Sequence, residues 1–305
     1  YSSAASDVYK RQLYMYEGDL NYLREQQEYM RALLRVLASQ MDGDRENLQG
    51  GQRLLDWPTS QMPDVIHAGY QALMVMAMEA GAEIGGWLGD RQMQSECHGA
   101  LRRLRRHVPD HLRNKQAAAM LVLAGLADPG KVCRTVIARG GAEGFSTFYG
   151  YYMLEALAEG GLYDEALQII SDYWGAMLDL GATTFWEDLN YAHAAGAARI
   201  DEPVPAGKFD IHAESGAYCY KGLRHSLCHG WASGPTPWLS RHVLGIVPLE
   251  PGCKSVAVRP HLGHLKWAEG TFPTPWGVIR VRHERGADGK VSTSVSAPDG
   301  VRVVR

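Results

Sequence analysis

From Asp19 to about Leu180 the apolar residues recur every three or four positions between short polar breaks, which predicts one helix after another. Asp19 can cap a helix whose apolar face is Leu20, Leu23, Met30, Leu33, Leu34 and Leu37. Asp64 opens another that runs through Ile66, Leu73, Met76 and Ile84, with Pro63 just ahead of it. Further helices are predicted at about 91–107, 110–126, 130–139, 146–159 and 163–179, with Pro109-Asp110, Asp128-Pro129 and Gly160-Gly161 between them. Long helices joined by short connections form antiparallel hairpins. A long polar loop at 188–216 follows, and then two more helices are predicted at about 217–232 and 235–245.

After Pro248 the period drops to two. Ser255–Arg259, Val278–His283 and Val291–Val295 alternate as strands, Asp288-Gly289 supplies a turn between the last two, and Val301–Arg305 begins a further strand. The expected fold is mainly helical at 13–247, with a small antiparallel β domain at 248–305. Residues 1–12 (YSSAASDVYKRQ) resemble a non-native scar that runs straight into the middle of a folded protein, so the natural chain is expected to begin further upstream.

The chain has 305 residues, 46% hydrophobic and 21% charged, with a formal net charge of −3. The length suffices for a large core, and the charge offers no footprint for nucleic acid. Arg102-Arg103-Leu104-Arg105-Arg106 is the densest basic run, and it reads as the solvated C-terminal end of a helix. No stretch reaches the roughly 20 apolar residues of a membrane span. Five cysteines at 97, 133, 219, 228 and 253 fit neither a CxxC site nor a disulfide framework, although Cys219 and Cys228 are near enough to bridge.

Three segments carry candidate chemistry. In Gly181-Ala-Thr-Thr-Phe-Trp-Glu-Asp188 a glycine closes a helix, and Trp186 and Glu187 follow at the junction. An indole beside a carboxylate suits sugar chemistry, since the ring packs on a pyranose face and apolar surroundings tune the acid. The same pattern fits a surface acid beside a core tryptophan. In Ala217–Leu244, His225 and His229 stand four apart and would share one helical face. No HExxH glutamate accompanies them, which argues against metal, and Trp238 reads as core. Leu55-Asp56-Trp57-Pro58 breaks the helical pattern on a loop, where Asp56 can bind hydroxyls or cap a turn and Trp57 can stack or plug. Gly86-Trp87-Leu88-Gly89-Asp90 reads as an ordinary turn between two helices.

These motifs resemble those of the bacterial α-L-rhamnosidases. ATTFWED at 182–188, SLCHGWASGPTPWLSRHVLGI at 226–246 and PLEPGCKSVAVRPHL at 248–262 carry the likeness, and LDWP at 55–58 and FYGYYMLEAL at 148–157 extend it. The resemblance implies a partial (α/α)6 barrel of six helical hairpins followed by an antiparallel β-sandwich. It implies that Glu187 is the general base of an inverting hydrolase of terminal α-L-rhamnosides, that His229 contacts the sugar near it, and that Trp57 and Trp186 wall the pocket, with Asp56 a further polar candidate. The family's acid motif precedes the LDWP loop, whereas Gly86–Asp90 follows it, so the general acid is expected ahead of this chain. Asp201, Glu202 or Asp210 could reach the pocket entrance from the long loop. The implied partner is a rhamnose-containing glycoside or polysaccharide, with no nucleic acid or membrane, and neither metal nor cofactor is required. A six-hairpin glycosidase of another sugar specificity, or a non-catalytic carbohydrate-binding fragment, are the alternatives.

Overall fold

The helices differ in how much of their surface they bury, and the sequence explains the difference. The computed structural model describes residues 2–49, 53–214 and 222–305, which divide into two compact units: Tyr1–Arg53, His67–Asp110 and Leu239–Arg305 in one, Leu54–Ile66 and His111–Trp238 in the other.

In the first unit, α1 (Ser2–Glu17) and α2 (Leu20–Ser39) are followed by a two-residue hairpin of β1 (Met41–Asp42) and β2 (Arg45–Glu46), then by α3 (Pro63–Leu88) and α4 (Arg91–Leu104). Asp19 caps α2 as expected, accepting from the backbone N–H of Asn21 and Tyr22. α2 and α4 bury one stripe each, Leu23, Met30, Leu34 and Leu37 on one and Met93, Cys97, Leu101 and Leu104 on the other. α3 is apolar nearly all round and buries Ala68, Tyr70, Met74, Val75, Met78 and Ile84 together, as an interior helix must. α3 ends at Gly89, whose φ of 70° lets the Asp90 N–H reach the Gly85 carbonyl at 2.8 Å. Asp90 then caps α4 through the Met93 N–H, so the turn expected over Gly86–Asp90 is confined to Gly89 and Asp90, and Gly86–Leu88 are the last residues of α3. The basic run closes α4, where Arg105 pairs with Glu79 and Arg103 donates to the Gly43 carbonyl. Residues expected to be non-native lie within α1, where Arg11 pairs with Glu83; three residues further on, Tyr14 packs on Trp87 at 4.8 Å.

The same unit holds the β domain. β3 (Ile246–Pro248), β4 (Ser255–Val258) and β8 (Arg302–Val304) form one sheet, and β5 (Trp267–Thr274), β6 (Gly277–Arg285) and β7 (Val291–Ser296) form the other. Ile246, Val256 and Val258 from the first share a core with Phe272, Ile279 and Val281 from the second, which makes a sandwich. It is antiparallel except for β4 and β8, which run parallel. β5 was not expected, because Gly270 and Pro273 interrupt its alternation. Gly270 leaves room for Leu244, whose Cδ1 would lie 2.5 Å from a Cβ at that position and would have to move aside.

In the second unit, α5 (Lys115–Leu123), α6 (Pro129–Val132), α7 (Gly150–Glu159) and α8 (Tyr163–Asp179) follow one another. α5 buries Gln116 through Val122 without a break, and α7 buries Met153 through Ala158. α8 buries a single face. Two helices begin later than predicted. Asn114 caps α5 after Leu112 and Arg113 adopt positive φ, and residues 146–149 are held in a loop by contacts described below.

Candidate active site

α8 closes at Gly181, whose φ of 92° allows the Ala182 N–H to bond the Met177 carbonyl at 2.9 Å. The chain leaves the helix there as an extended strap, and residues 184–188 zip against 225–229. The Glu187 N–H donates to the Ser226 carbonyl at 2.9 Å, the His229 N–H to the Phe185 carbonyl at 2.8 Å, and the Thr184 hydroxyl to the Leu227 carbonyl. The Ser226 N–H returns a bond to Glu187 Oε2 at 2.9 Å. The Glu187 carbonyl accepts from Trp231 Nε1 at 2.8 Å and from the Thr147 hydroxyl. Backbone and carboxylate are thus held from three segments. Glu187 Oε1 faces His229 Nδ1 at 3.7 Å, beyond hydrogen-bond reach, and the side chain keeps 11% of its surface exposed.

Alternation along the strap sends Trp186 inward as Glu187 turns outward. Trp186 is 1% exposed and packs edge-on against His212 at 4.5 Å. The aromatic surface near the carboxylate comes from elsewhere: Trp231 is half-buried, stacks on Phe148 at 5.2 Å and meets His229 at 4.1 Å. Trp231 and Phe148 were not singled out as site residues. The only sequence signal for Phe148 is its place in FYGYYMLEAL, which predicts a helix.

The helix expected over 217–232 is absent from its described part, and residues 217–221, with Cys219, lie outside the described residues. Gly222–Arg224 and Gly230–Ala232 are single 3₁₀ turns, and between them the Ser226 carbonyl and the His229 N–H bond the 185–188 strap rather than continue a helix. His225 and His229 therefore do not share a helical face. His225 Nε2 accepts the Asp188 N–H at 3.0 Å, so its proton is on Nδ1 and is donated to His212 Nδ1 at 2.7 Å. Burial and then His212 push His225 down to about 4, and burial lowers His212 as well. Trp238 is core, 0% exposed, with its Nε1 bonded to the Leu154 carbonyl.

Asp56 is 1% exposed and both of its oxygens are engaged. Oδ1 caps the 3₁₀ turn Trp57–Thr59 through the Trp57 N–H, and Oδ2 accepts the Ser146 hydroxyl at 2.6 Å and Gln116 Nε2 at 3.3 Å. Burial raises its carboxyl above the ordinary value against these three hydrogen bonds. Ser146 is bonded to Asp56 and Thr147 to Glu187, so one buried dipeptide ties the LDWP loop to the Glu187 strap. Trp57 beside it is half-buried. Asp201 pairs with Arg199, Glu202 lies 3.4 Å from the same guanidinium, and Asp210 bonds the N–H of His212 and Ala213.

In the other unit, Asp90 accepts from Arg31 at 2.5 Å and Gln27 at 2.9 Å, and the Arg31 hydrogen bond brings it down to about 2. Such a group is ionised at any working pH, which is the wrong state for an acid catalyst. Among the described residues no three His, Cys, Asp or Glu side chains are grouped to hold a metal, and no helix is long and apolar enough to cross a membrane.

Helical segments followed by a β-sandwich have parallels among solved structures. Residues 245–304 match the family described as Bacterial alpha-L-rhamnosidase C-terminal domain. The α-L-rhamnosidase of Streptomyces avermitilis, complexed with L-rhamnose, superposes on 95% of this chain with a TM-score of 0.74 at 21% identity, using 28% of its own length. The GH78 family rhamnosidase of Bacillus sp. GL1 covers 96% of this chain with a TM-score of 0.76 at 21% identity over 31% of its length. The α-L-rhamnosidase of Aspergillus terreus covers 98% with a TM-score of 0.74 at 16% identity over 36% of its length. No curated protein matches the sequence significantly. Residues 245–304 thus match the C-terminal domain family, the fold is that of the solved α-L-rhamnosidases, and the chain spans about a third of their length.

Proposed function

We propose that the protein hydrolyses terminal α-L-rhamnosides by a single inverting displacement, with Glu187 as the general base. The observation that carries this reading is the state of the Glu187 carboxylate. One oxygen is fixed by the Ser226 N–H, and the other is left for water beside His229 on an aromatic floor of Trp231 and Phe148. In an inverting displacement that oxygen takes a proton from the water attacking the anomeric carbon, while an acid about 6.5–9.5 Å away protonates the departing oxygen. His229 bonds sugar hydroxyls, and Trp231 and Phe148 carry the ring face. Trp57 extends the wall. Trp186 and Asp56 act from beneath, by packing the strap and by anchoring Ser146. L-Rhamnose bound to the Streptomyces avermitilis relative supports the sugar assigned.

The reading requires an acid partner for Glu187, and with none proposed among these residues the 305-residue chain alone is expected to have negligible turnover. The test uses the complete gene product with an aryl α-L-rhamnoside. Glu187→Gln abolishes turnover and leaves rhamnose binding in place, and a near-normal rate in that variant refutes the assignment. A panel of aryl glycosides fixes the sugar: activity on a fucoside without activity on the rhamnoside overturns it.

A further inference from the structure

The outer face of the β5–β6–β7 sheet does not look like an ordinary solvated face. Strand register puts Trp267, Glu284 and Ser292 in one row across it, Glu269, Arg282 and Ser294 in the next, and Thr271, Arg280 and Ser296 in the third. All are exposed, while the alternate positions Phe272, Ile279 and Val281 feed the core. Trp267 shows 58% of its surface, with the Arg282 guanidinium 5.7 Å from its ring centre on one side. The face dips into a trough of about 470 Å³, within the roughly 300–1,000 Å³ of small-ligand sites.

The charges along the trough are unequal. Arg282 is paired with both Glu269 and Glu284, so its charge is satisfied and the end near the indole is left with a net negative charge. Arg280 has no ion pair or hydrogen bond among the described residues and stands between the hydroxyl-bearing Thr271 and Ser296. Thr271 lies four strand positions from Trp267, about 14 Å at roughly 3.4 Å per residue. The geometry points to a binding site for a short acidic oligosaccharide, with a neutral sugar stacked on Trp267 and a uronate carboxylate gripped by Arg280. An exposed indole carries the apolar face of a pyranose, serine and threonine hydroxyls both donate and accept as sugar hydroxyls do, and the guanidinium fork fits a carboxylate in two parallel bonds. Glu269 and Glu284 beside the indole repel a nucleic acid, which brings a phosphate at every unit.

This site shares no residue with the one proposed around Glu187 and is tested on the full 305-residue chain, by calorimetry and tryptophan fluorescence. The probe is an aldotriouronic acid, a trisaccharide with one uronate, compared with its carboxyl-reduced form. The acid is expected to bind and the reduced sugar to bind roughly tenfold more weakly, the worth of a charge-assisted hydrogen bond. Arg280→Gln and Trp267→Ala each weaken the acid about as much, Arg280→Lys falls between because it keeps charge without the fork, and Glu187→Gln changes nothing. Both altered positions are exposed, and unchanged melting curves verify the fold. No binding, equal binding of acid and reduced sugar, wild-type affinity in both variants, or displacement of the acid by an oligothymidylate of similar length overturns the proposal.

Discussion

Glu46 and Glu187 are both buried glutamates, in different units of the chain, and they are held in opposite ways. Glu46 has a side chain with 0% exposure and no oxygen to spare. Oε1 accepts from Arg53 at 2.5 Å and His67 at 2.6 Å, and Oε2 accepts the Leu48 N–H at 3.0 Å. Burial pushes its carboxyl up, but the bonds from His67, Arg53 and Leu48 outweigh that and bring it below the ordinary value. Glu187 is held instead through its backbone, and one carboxylate oxygen stays open. A carboxylate that is saturated ties a structure together. A carboxylate that is fixed from behind and open in front can meet a reactant.

The largest effect should separate the two. In the complete gene product, Glu187→Gln lowers kcat on an aryl α-L-rhamnoside by roughly 10²–10⁴-fold, the range for a lost general base, and shifts the melting temperature little. Glu46→Gln does the reverse. It leaves Arg53 and His67 facing an uncharged amide and costs about 2–3 kcal/mol in urea denaturation, below the ~3–5 kcal/mol of a fully buried pair because Arg53 is one-third exposed. A catalytic loss in Glu46→Gln equal to that of Glu187→Gln would erase the contrast.

Acidity sharpens it further. His225 is neutral in the folded chain with its value near 4, well below the ordinary 6.5, so the unfolded chain takes the proton first as the pH falls. Stability is therefore lost between about pH 6.5 and about 4 and is level below that. Glu46 has a folded value below its ordinary 4.5, so its contribution is complete above 4.5 and disappears as the pH drops through the lowered value. Denaturation followed across this range should show two windows. His225→Gln, whose amide oxygen can still accept the Asp188 N–H, flattens the upper one, and Glu46→Gln flattens the lower. If both variants act in the same window, the assignment of the His225 proton is wrong.

The helical half was legible where local chemistry decided it. Asp19, the helix start at Asp64 to within one residue, and the Gly181 stop are all read from single residues and their neighbours. The proposed site was legible only in part. Glu187 is proposed because the ATTFWED and SLCHGWAS motifs resemble a known family, whereas spacing alone left it open. Trp231, Phe148, Ser146 and Thr147 escaped because their roles depend on pairings 40 to 90 residues apart, such as Ser146 with Asp56 and Thr147 with Glu187. Segment 222–232 was misread for the same reason, since its backbone bonds a distant strap. The period-two face of β5 was hidden by a glycine whose reason is tertiary, the approach of Leu244.

The smallest effect tests how the strap is held. Trp231→Phe keeps a ring to stack on Phe148 but removes the Nε1–H that bonds the Glu187 carbonyl. Thr147 still donates to the same oxygen, so the carbonyl is not left bare and the loss is about 0.5–1.5 kcal/mol. If Trp231 orients Glu187, that loss appears in kcat, with the Michaelis constant and the melting temperature almost unchanged. If Trp231 merely braces the fold, as Arg53 does for Glu46, it appears in the melting temperature with kcat intact. That outcome would place the strap with the saturated kind of carboxylate site and leave Ser226 and His229 as the groups that aim Glu187.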